Sequence, residues 1–139
     1  MEIYLIRHTT PLIEKGVCYG QSDIPLAETF YAEMNKLIHH LPDSLDIVYS
    51  SRLSRCTKLA QFIRAKELFK VDNRLLEMNF GDWEMKKWDE INERELNNWM
   101  KDFVDVRIPN GENFINLNQR VDNFIDELIF VTGAQSAIH

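Results

Sequence analysis

Apolar and polar positions change period several times along the chain. Residues 2–6, EIYLI, are rich in β-branched and aromatic side chains and predict a short buried strand. Residues 9–25 are broken by Gly16, Gly20 and Pro25 and predict a loop. From Leu26 the spacing turns helical: Phe30, Met34, Leu37, Ile38 and Leu41 share one face, and Pro42 ends the segment. A second strand is expected over Asp46–Tyr49. SSRLSRC then leads into a helix that buries Leu59, Ala60, Phe62 and Ile63. Val71 and its neighbours predict a third strand, and RLLEMNFGDWEM a loop around Gly81. One helix is expected to carry Trp88, Ile91, Leu96, Trp99, Met100 and Phe103. After the turn Pro109-Asn110-Gly111, a last helix is expected to point Phe114, Leu117, Val121, Phe124, Ile125 and Leu128 inward.

Strands alternating with helices predict an α/β fold with a mostly parallel central sheet. Ligands of such sheets bind beyond the carboxyl ends of the strands. Arg7–His8 and Ser50–Arg55 each follow an expected strand, so they are expected to share one site. Length changes this picture little: 139 residues suit a single domain, 1–139, with a real core. No apolar run approaches the about 18 residues of a membrane span, and no signal-peptide n-region opens the chain, so no membrane partner is expected and the cytoplasm is the expected location.

Charge narrows the function classes. With 16 basic and 22 acidic side chains the net charge is −6, which disfavours nonspecific binding to nucleic acid. A small phosphorylated ligand stays open, because a local group of arginines reverses the sign in one pocket. Cys18 and Cys56 form neither a CxxC pair nor a zinc spacing and read as reduced thiols.

Three stretches offer chemistry. In Arg7–His8, a neutral imidazole is a competent nucleophile toward phosphorus, and the guanidinium neutralises phosphoryl oxygens. In SSRLSRC, arginines three apart lie near a helix start whose N–H groups favour an anion. Arg55 is the better pocket candidate, with Arg52 read as a surface charge. In LLEMNFGDW, Glu77 follows two leucines, a setting expected to favour its protonated form. Asp82 and Glu84 are acidic alternatives that read as more exposed. His39 and His40 read as ordinary helix residues, and Trp83, Trp88 and Trp99 as core or lid packing.

LIRHTTP, YSSRLSRC, LLEMNFGDWE and IPNGENF occur in this order. Together they resemble the histidine phosphatase (phosphoglycerate-mutase-like) superfamily, over about residues 2–128. GQSDIPL is similar to its α-ribazole-5′-phosphate phosphatase branch, which serves the nucleotide loop of cobalamin. The resemblance implies a three-layer sandwich with helices on both faces of the sheet. It also implies a phosphomonoesterase in which His8 becomes a phosphohistidine, Arg7 and Arg55 hold the phosphoryl oxygens, and Glu77 is the general acid. Cys18, Tyr19, Gly20 and Gln21 are expected to line the approach, with Tyr19, Gly20 and Gln21 as the substrate loop. No metal and no other cofactor is implied.

The family also uses a second pocket histidine in a Val-Thr-His-x-Gly segment. The four histidines here are His8, His39, His40 and His139, and Gly133 follows Val131-Thr132. The tail 129–139 reads either as a remnant of that segment or as the family's C-terminal strand joined directly to the last helix; QSAI favours the strand. The chain is therefore expected to be C-terminally incomplete and weakly active or inactive, since one lost preorganised donor costs about 10²–10³ in rate. Exposed sheet edges and apolar helix faces would invite association, so a homo-oligomer is among the expected states. The alternatives are another phosphatase or a mutase of the superfamily acting on a small phosphorylated metabolite, and a phosphate-binding protein without turnover.

Overall fold

Two clusters of buried side chains organise the residues that the computed structural model describes, 1–133. The first joins Phe30 and Met34 to Leu59, with Ile6, Leu26, Leu37, Ile38 and Ile63 packed around them. Phe30 and Met34 come from α1 (Phe30–Ile38) and Leu59 from α2 (Ser54–Ala60). The spacing of four that marked α1 in the sequence is the spacing that buries both residues on one side. Between the helices runs β1 (Tyr49–Ser50), which pairs in parallel with β2 (Lys70–Val71), Tyr49 opposite Lys70 and Ser50 opposite Val71. The parallel pairing expected of an α/β chain is present, over a short length.

The expected strand at residues 2–6 is not formed. Among the described residues, no backbone hydrogen bond joins this segment to a neighbour. Leu5 is 92% exposed, and Ile3 and Tyr4 are exposed as well. Composition favours a strand, but a strand exists only where a second backbone completes its ladder. Ile6 still packs against the first cluster and so fixes where Arg7 and His8 emerge.

The second cluster is built on Cys18, Met78, Trp83, Ile91 and Ile108. Trp83 is buried, and Trp99 meets it edge-on with ring centroids 5.7 Å apart. Trp99 also stacks near Trp88 at 6.4 Å, so the three tryptophans are packing residues, as expected. The single helix expected over 88–103 is divided. A 3₁₀ turn, Trp88–Glu90, precedes α3 (Glu93–Lys101). Asn92 breaks the run: its side chain accepts from the N–H groups of Arg94 and Glu95 and caps α3. Met100 and Phe103 consequently lie exposed. Phe62 is also exposed rather than buried, just past the end of α2.

The last helix, α4 (Phe114–Thr132), starts at a capping box between Asn113 and Asn116 and ends at Gly133, whose φ of 63° suits a glycine. Phe124 is its buried contact, 5.1 Å from the Tyr49 ring, and Phe114 is exposed. Val131 and Thr132 belong to this helix, so they are not the start of a strand. QSAI and His139 lie outside the described residues. No helix among the described residues is long and apolar enough to cross a membrane.

Candidate active site

His8 is half-buried where the N-terminal segment meets α1. Thr9 behind it is buried, and Thr10 is tied down twice. The Thr10 N–H and hydroxyl both donate to Glu33 of α1, at 3.0 and 3.1 Å, and the Ala27 N–H donates to the Thr10 carbonyl at 2.9 Å. The histidine is thus held by its neighbours despite the absent strand.

His8 Nδ1 lies 2.7 Å from the Thr9 carbonyl. A carbonyl oxygen only accepts, so Nδ1 carries the hydrogen and Nε2 presents a lone pair. Burial lowers the pKa of the ring below its ordinary 6.5, opposed by the Thr9 hydrogen bond and reinforced by the charges of Arg55 and Arg7; Glu77 pulls the other way. The imidazole is therefore neutral at neutral pH. The charges of Arg7, Arg55 and Glu77 all reach the His8 ring.

Arg55 is 1% exposed. Its Nη1 donates to the Ser22 carbonyl at 2.8 Å and its Nη2 to the Gly20 carbonyl. Tyr19 presents its ring 5.5 Å from the guanidinium carbon. Nε–H is buried and has no partner among the described residues. A buried, unpaired charged donor is costly unless something accepts from it, and an oxyanion would. Arg52 is exposed, as expected. The first N–H of α2, at Ser54, is already taken by Asp23 at 2.8 Å, so the helix start offers the anion less than the sequence promised.

Glu77 departs from expectation. It is exposed between the buried Leu76 and Met78, and its carboxylate accepts from the Met78 N–H at 2.9 Å. The apolar surrounding foreseen for it belongs to its neighbours. Its main chain is firmly held: Gln21 Nε2 and Arg120 Nη2 each donate to the Glu77 carbonyl at 3.0 Å.

Of the expected approach loop, Tyr19, Gly20 and Gln21 stand beside Arg55 and Glu77, whereas Cys18 is fully buried in the second cluster. Burial pushes its thiol up to about 12, reinforced by the charge of Glu84, so it is inert. Glu84 is not the exposed acid the sequence suggested. It is half-buried and accepts from the N–H groups of Gly20, Gln21 and Ser22. Burial raises its pKa, but these bonds and the Ser22 hydroxyl hold it below the usual carboxylate value. Sequence reasoning took Glu84 for an exposed acid and missed Arg120: Glu84 meets N–H groups of the 20–22 loop, and Arg120 joins Glu112 to the carbonyls of Arg74 and Glu77, contacts that residue type does not reveal. A shallow groove of about 300 Å³ between Pro25 and Lys58 contains none of these residues.

A neutral imidazole under the influence of two guanidinium groups and a carboxylate is an arrangement that can suit transfer of a phosphoryl group. Comparison with known proteins agrees. Residues 3–137 match the model of the histidine phosphatase superfamily, branch 1. The adenosylcobalamin/α-ribazole phosphatase of Escherichia coli K12 is 31% identical over 137 residues, covering 92% of this chain and 66% of that protein. A Hydrogenobacter thermophilus relative with the provisional name of a phosphoserine phosphatase is also 31% identical, covering 91% and 66%. The crystal structure of the α-ribazole phosphatase from Shigella flexneri superimposes with a TM-score of 0.72 at 29% identity, covering 86% of this chain and 62% of that one. The chain thus spans just under two thirds of the length of these relatives. With this match running through nearly all of its residues, the chain belongs to the histidine phosphatase superfamily.

Proposed function

We propose that this chain is a phosphomonoesterase that works through a phosphohistidine on His8. The observation that carries the reading is the Nδ1 contact to the Thr9 carbonyl, which leaves Nε2 as the nucleophilic atom beside two guanidinium groups. Nε2 attacks phosphorus and forms the N–P bond as the P–O bond to the leaving alcohol breaks. The Glu77 carboxyl gives its proton to that alcohol oxygen. Water then attacks phosphorus with Glu77 as base, the N–P bond breaks, and phosphate leaves. Arg7 and the free donors of Arg55 stabilise the charge on the equatorial oxygens throughout.

The substrate we propose is α-ribazole 5′-phosphate, in assembly of the nucleotide loop of cobalamin. Similarity to proteins named for that activity, from Escherichia coli and Shigella flexneri, supports this choice. The reading carries a cytoplasmic location with it, which the two free thiols Cys18 and Cys56 suit.

The test is phosphate release from α-ribazole 5′-phosphate, phosphoserine and 3-phosphoglycerate, with His8→Ala as the control. Preferred turnover of α-ribazole 5′-phosphate, lost in His8→Ala, is expected, with an acid-labile phosphoprotein trapped during turnover. Turnover of phosphoglycerate alone would overturn the substrate. Equal inactivity of both proteins, with phosphate still raising the melting temperature, would favour a phosphate-binding protein instead.

A further inference from the structure

The peptide group between Gly20 and Gln21 lies between two opposite charges. Its carbonyl accepts from Arg55 Nη2, and its N–H donates to Glu84 at 2.8 Å. The arrangement extends to both sides. The Gly20 N–H donates to Glu84 at 3.0 Å, the Ser22 N–H at 3.2 Å and the Ser22 hydroxyl at 2.6 Å, while the Ser22 carbonyl accepts from Arg55 Nη1. The Phe80 N–H adds a fifth bond to Glu84, at 3.2 Å. Two carboxylate oxygens offer about four lone-pair sites, so the acceptor capacity of Glu84 is filled.

The loop has no room to settle elsewhere. A side-chain carbon on Gly20 would meet the Met78 carbonyl at 1.9 Å and the Phe80 ring at 2.7 Å. Gln21 then reaches the Glu77 carbonyl from the same loop. Loop 20–22 is therefore a rigid spacer with the carboxylate on one side and the guanidinium on the other. Rotation of Arg55 away from His8 would break its two carbonyl bonds, and the carbonyls stay in place only while Glu84 holds the N–H groups.

We propose that Glu84 is a positioning residue that aims the Arg55 guanidinium at the phosphoryl group through loop 20–22. The inference rests on the reading of Arg55 as a phosphate ligand. It is distinct from a merely structural role, because it assigns to Glu84 an effect on anion affinity that is transmitted by Arg55 alone.

The experiment uses Glu84→Gln, which keeps the side-chain length but turns an N–H₂ toward main-chain donors. Inorganic phosphate binding is measured by calorimetry well below the melting temperatures of all proteins compared. Glu84→Gln is expected to weaken phosphate about tenfold, the effect of a charge-assisted hydrogen bond. In an Arg55→Ala background the same change should weaken it no further. Asp82→Asn, which removes a nearby charge whose side-chain partner among the described residues is Asn110, should leave affinity unchanged. The Arg55 Nε–H nuclear magnetic resonance signal should shift in Glu84→Gln. Unchanged phosphate affinity in Glu84→Gln, an additive double mutant, or an equal loss in Asp82→Asn each overturns the proposal. If Glu84→Gln does not fold, Ser22→Ala replaces it, with about threefold weaker phosphate expected and no change overturning. A wild-type protein that does not bind phosphate, while the Arg55 signal still responds to Glu84→Gln, would sink the phosphatase reading and leave the link between the two residues standing.

Discussion

Arg120 grips Glu112 through two parallel hydrogen bonds, Nε to Oε1 at 2.9 Å and Nη2 to Oε2 at 3.1 Å. The same guanidinium donates to the carbonyls of Arg74 and Glu77, so α4 is fastened to the segment that carries Glu77. Both side chains are only 17% exposed, which makes this a shielded pair, unlike the surface bridge between Lys66 and Asp46. Arg120→Ala removes the cation from a half-buried carboxylate, which keeps the Asn79 N–H, and takes a donor from the carbonyls of Arg74 and Glu77; it is expected to cost about 3 kcal/mol in urea unfolding. Arg120→Lys should recover little, because an ammonium cannot make the planar fork. A loss below about 1 kcal/mol, the range of an exposed pair, would contradict this.

Glu112 also gives this pair a pH dependence. Burial raises its pKa, but the Arg120 bonds and the Asn79 N–H outweigh burial and hold it below the usual carboxylate value. The unfolded chain then binds the proton more readily than the folded one. The stabilisation is full above the ordinary carboxylate pKa and is lost as pH falls through the lowered folded value. Replacing Glu112 with Gln should lower stability at neutral pH and flatten its fall with acid, as read by melting temperature from pH 6 to pH 3.

His8 titrates in the opposite chemical sense but with the same sign. Its folded pKa lies below the ordinary 6.5 through burial and the nearby Arg55 and Arg7 charges. The nucleophile is the neutral ring, so the acid limb of kcat/KM should have its midpoint below pH 6.5. Arg55→Ala removes one cation and should move that midpoint upward, although the rate itself falls. A midpoint that stays put in Arg55→Ala would mean that the arginine does not face the ring.

The two cysteines should separate cleanly by reactivity. Cys18 is fully buried with its thiol pushed up to about 12, whereas Cys56 is partly exposed on α2. Alkylation at pH 8 should label Cys56 first, and Cys18 only on unfolding. Labelling at comparable rates, read by intact mass, would show that the second cluster opens readily.

Helix faces were legible in the sequence because the period that marks Phe30 and Met34 is itself the consequence of burial. The strand at 2–6 was not, since EIYLI records a preference while pairing depends on a second backbone. The α3 boundary was missed for a local reason: Asn92 reads as one polar residue in a helical run until its side chain is seen capping Arg94 and Glu95. In the site, Arg55 was legible as a residue near a helix start, whereas Arg7 and His8 stood out by residue type alone, since the strand expected to deliver them is not formed. The inward setting of Glu84 and the place of Arg120 were not legible, because their main-chain partners, and for Arg120 also the carboxylate of Glu112, leave no trace in residue type. The misjudged environments of Glu77 and Glu84 share one cause. Neighbouring apolar letters do not say which side chain in a loop turns inward.

The role of Glu77 has a sharper test than simple loss of activity. Its carbonyl, not its carboxylate, receives Gln21 and Arg120, so Glu77→Gln leaves those fastenings intact. Among the described residues the carboxylate accepts from the adjacent Met78 N–H alone, and a glutamine oxygen accepts there too. The fold and phosphate affinity should therefore survive the substitution. Two functions are removed: proton delivery in the first step, an effect of about 10²–10⁴ when the departing group is an alcohol of high pKa, and activation of water in the second. The alcohol of an aryl phosphate such as p-nitrophenyl phosphate leaves without that help, so the first-turnover burst of p-nitrophenol in Glu77→Gln should be far closer to the wild-type rate, with slow turnover after it. An equal loss of the first-turnover rate on alkyl and aryl esters would remove Glu77 from the general-acid role and point to a group that acts on the phosphoryl oxygens instead.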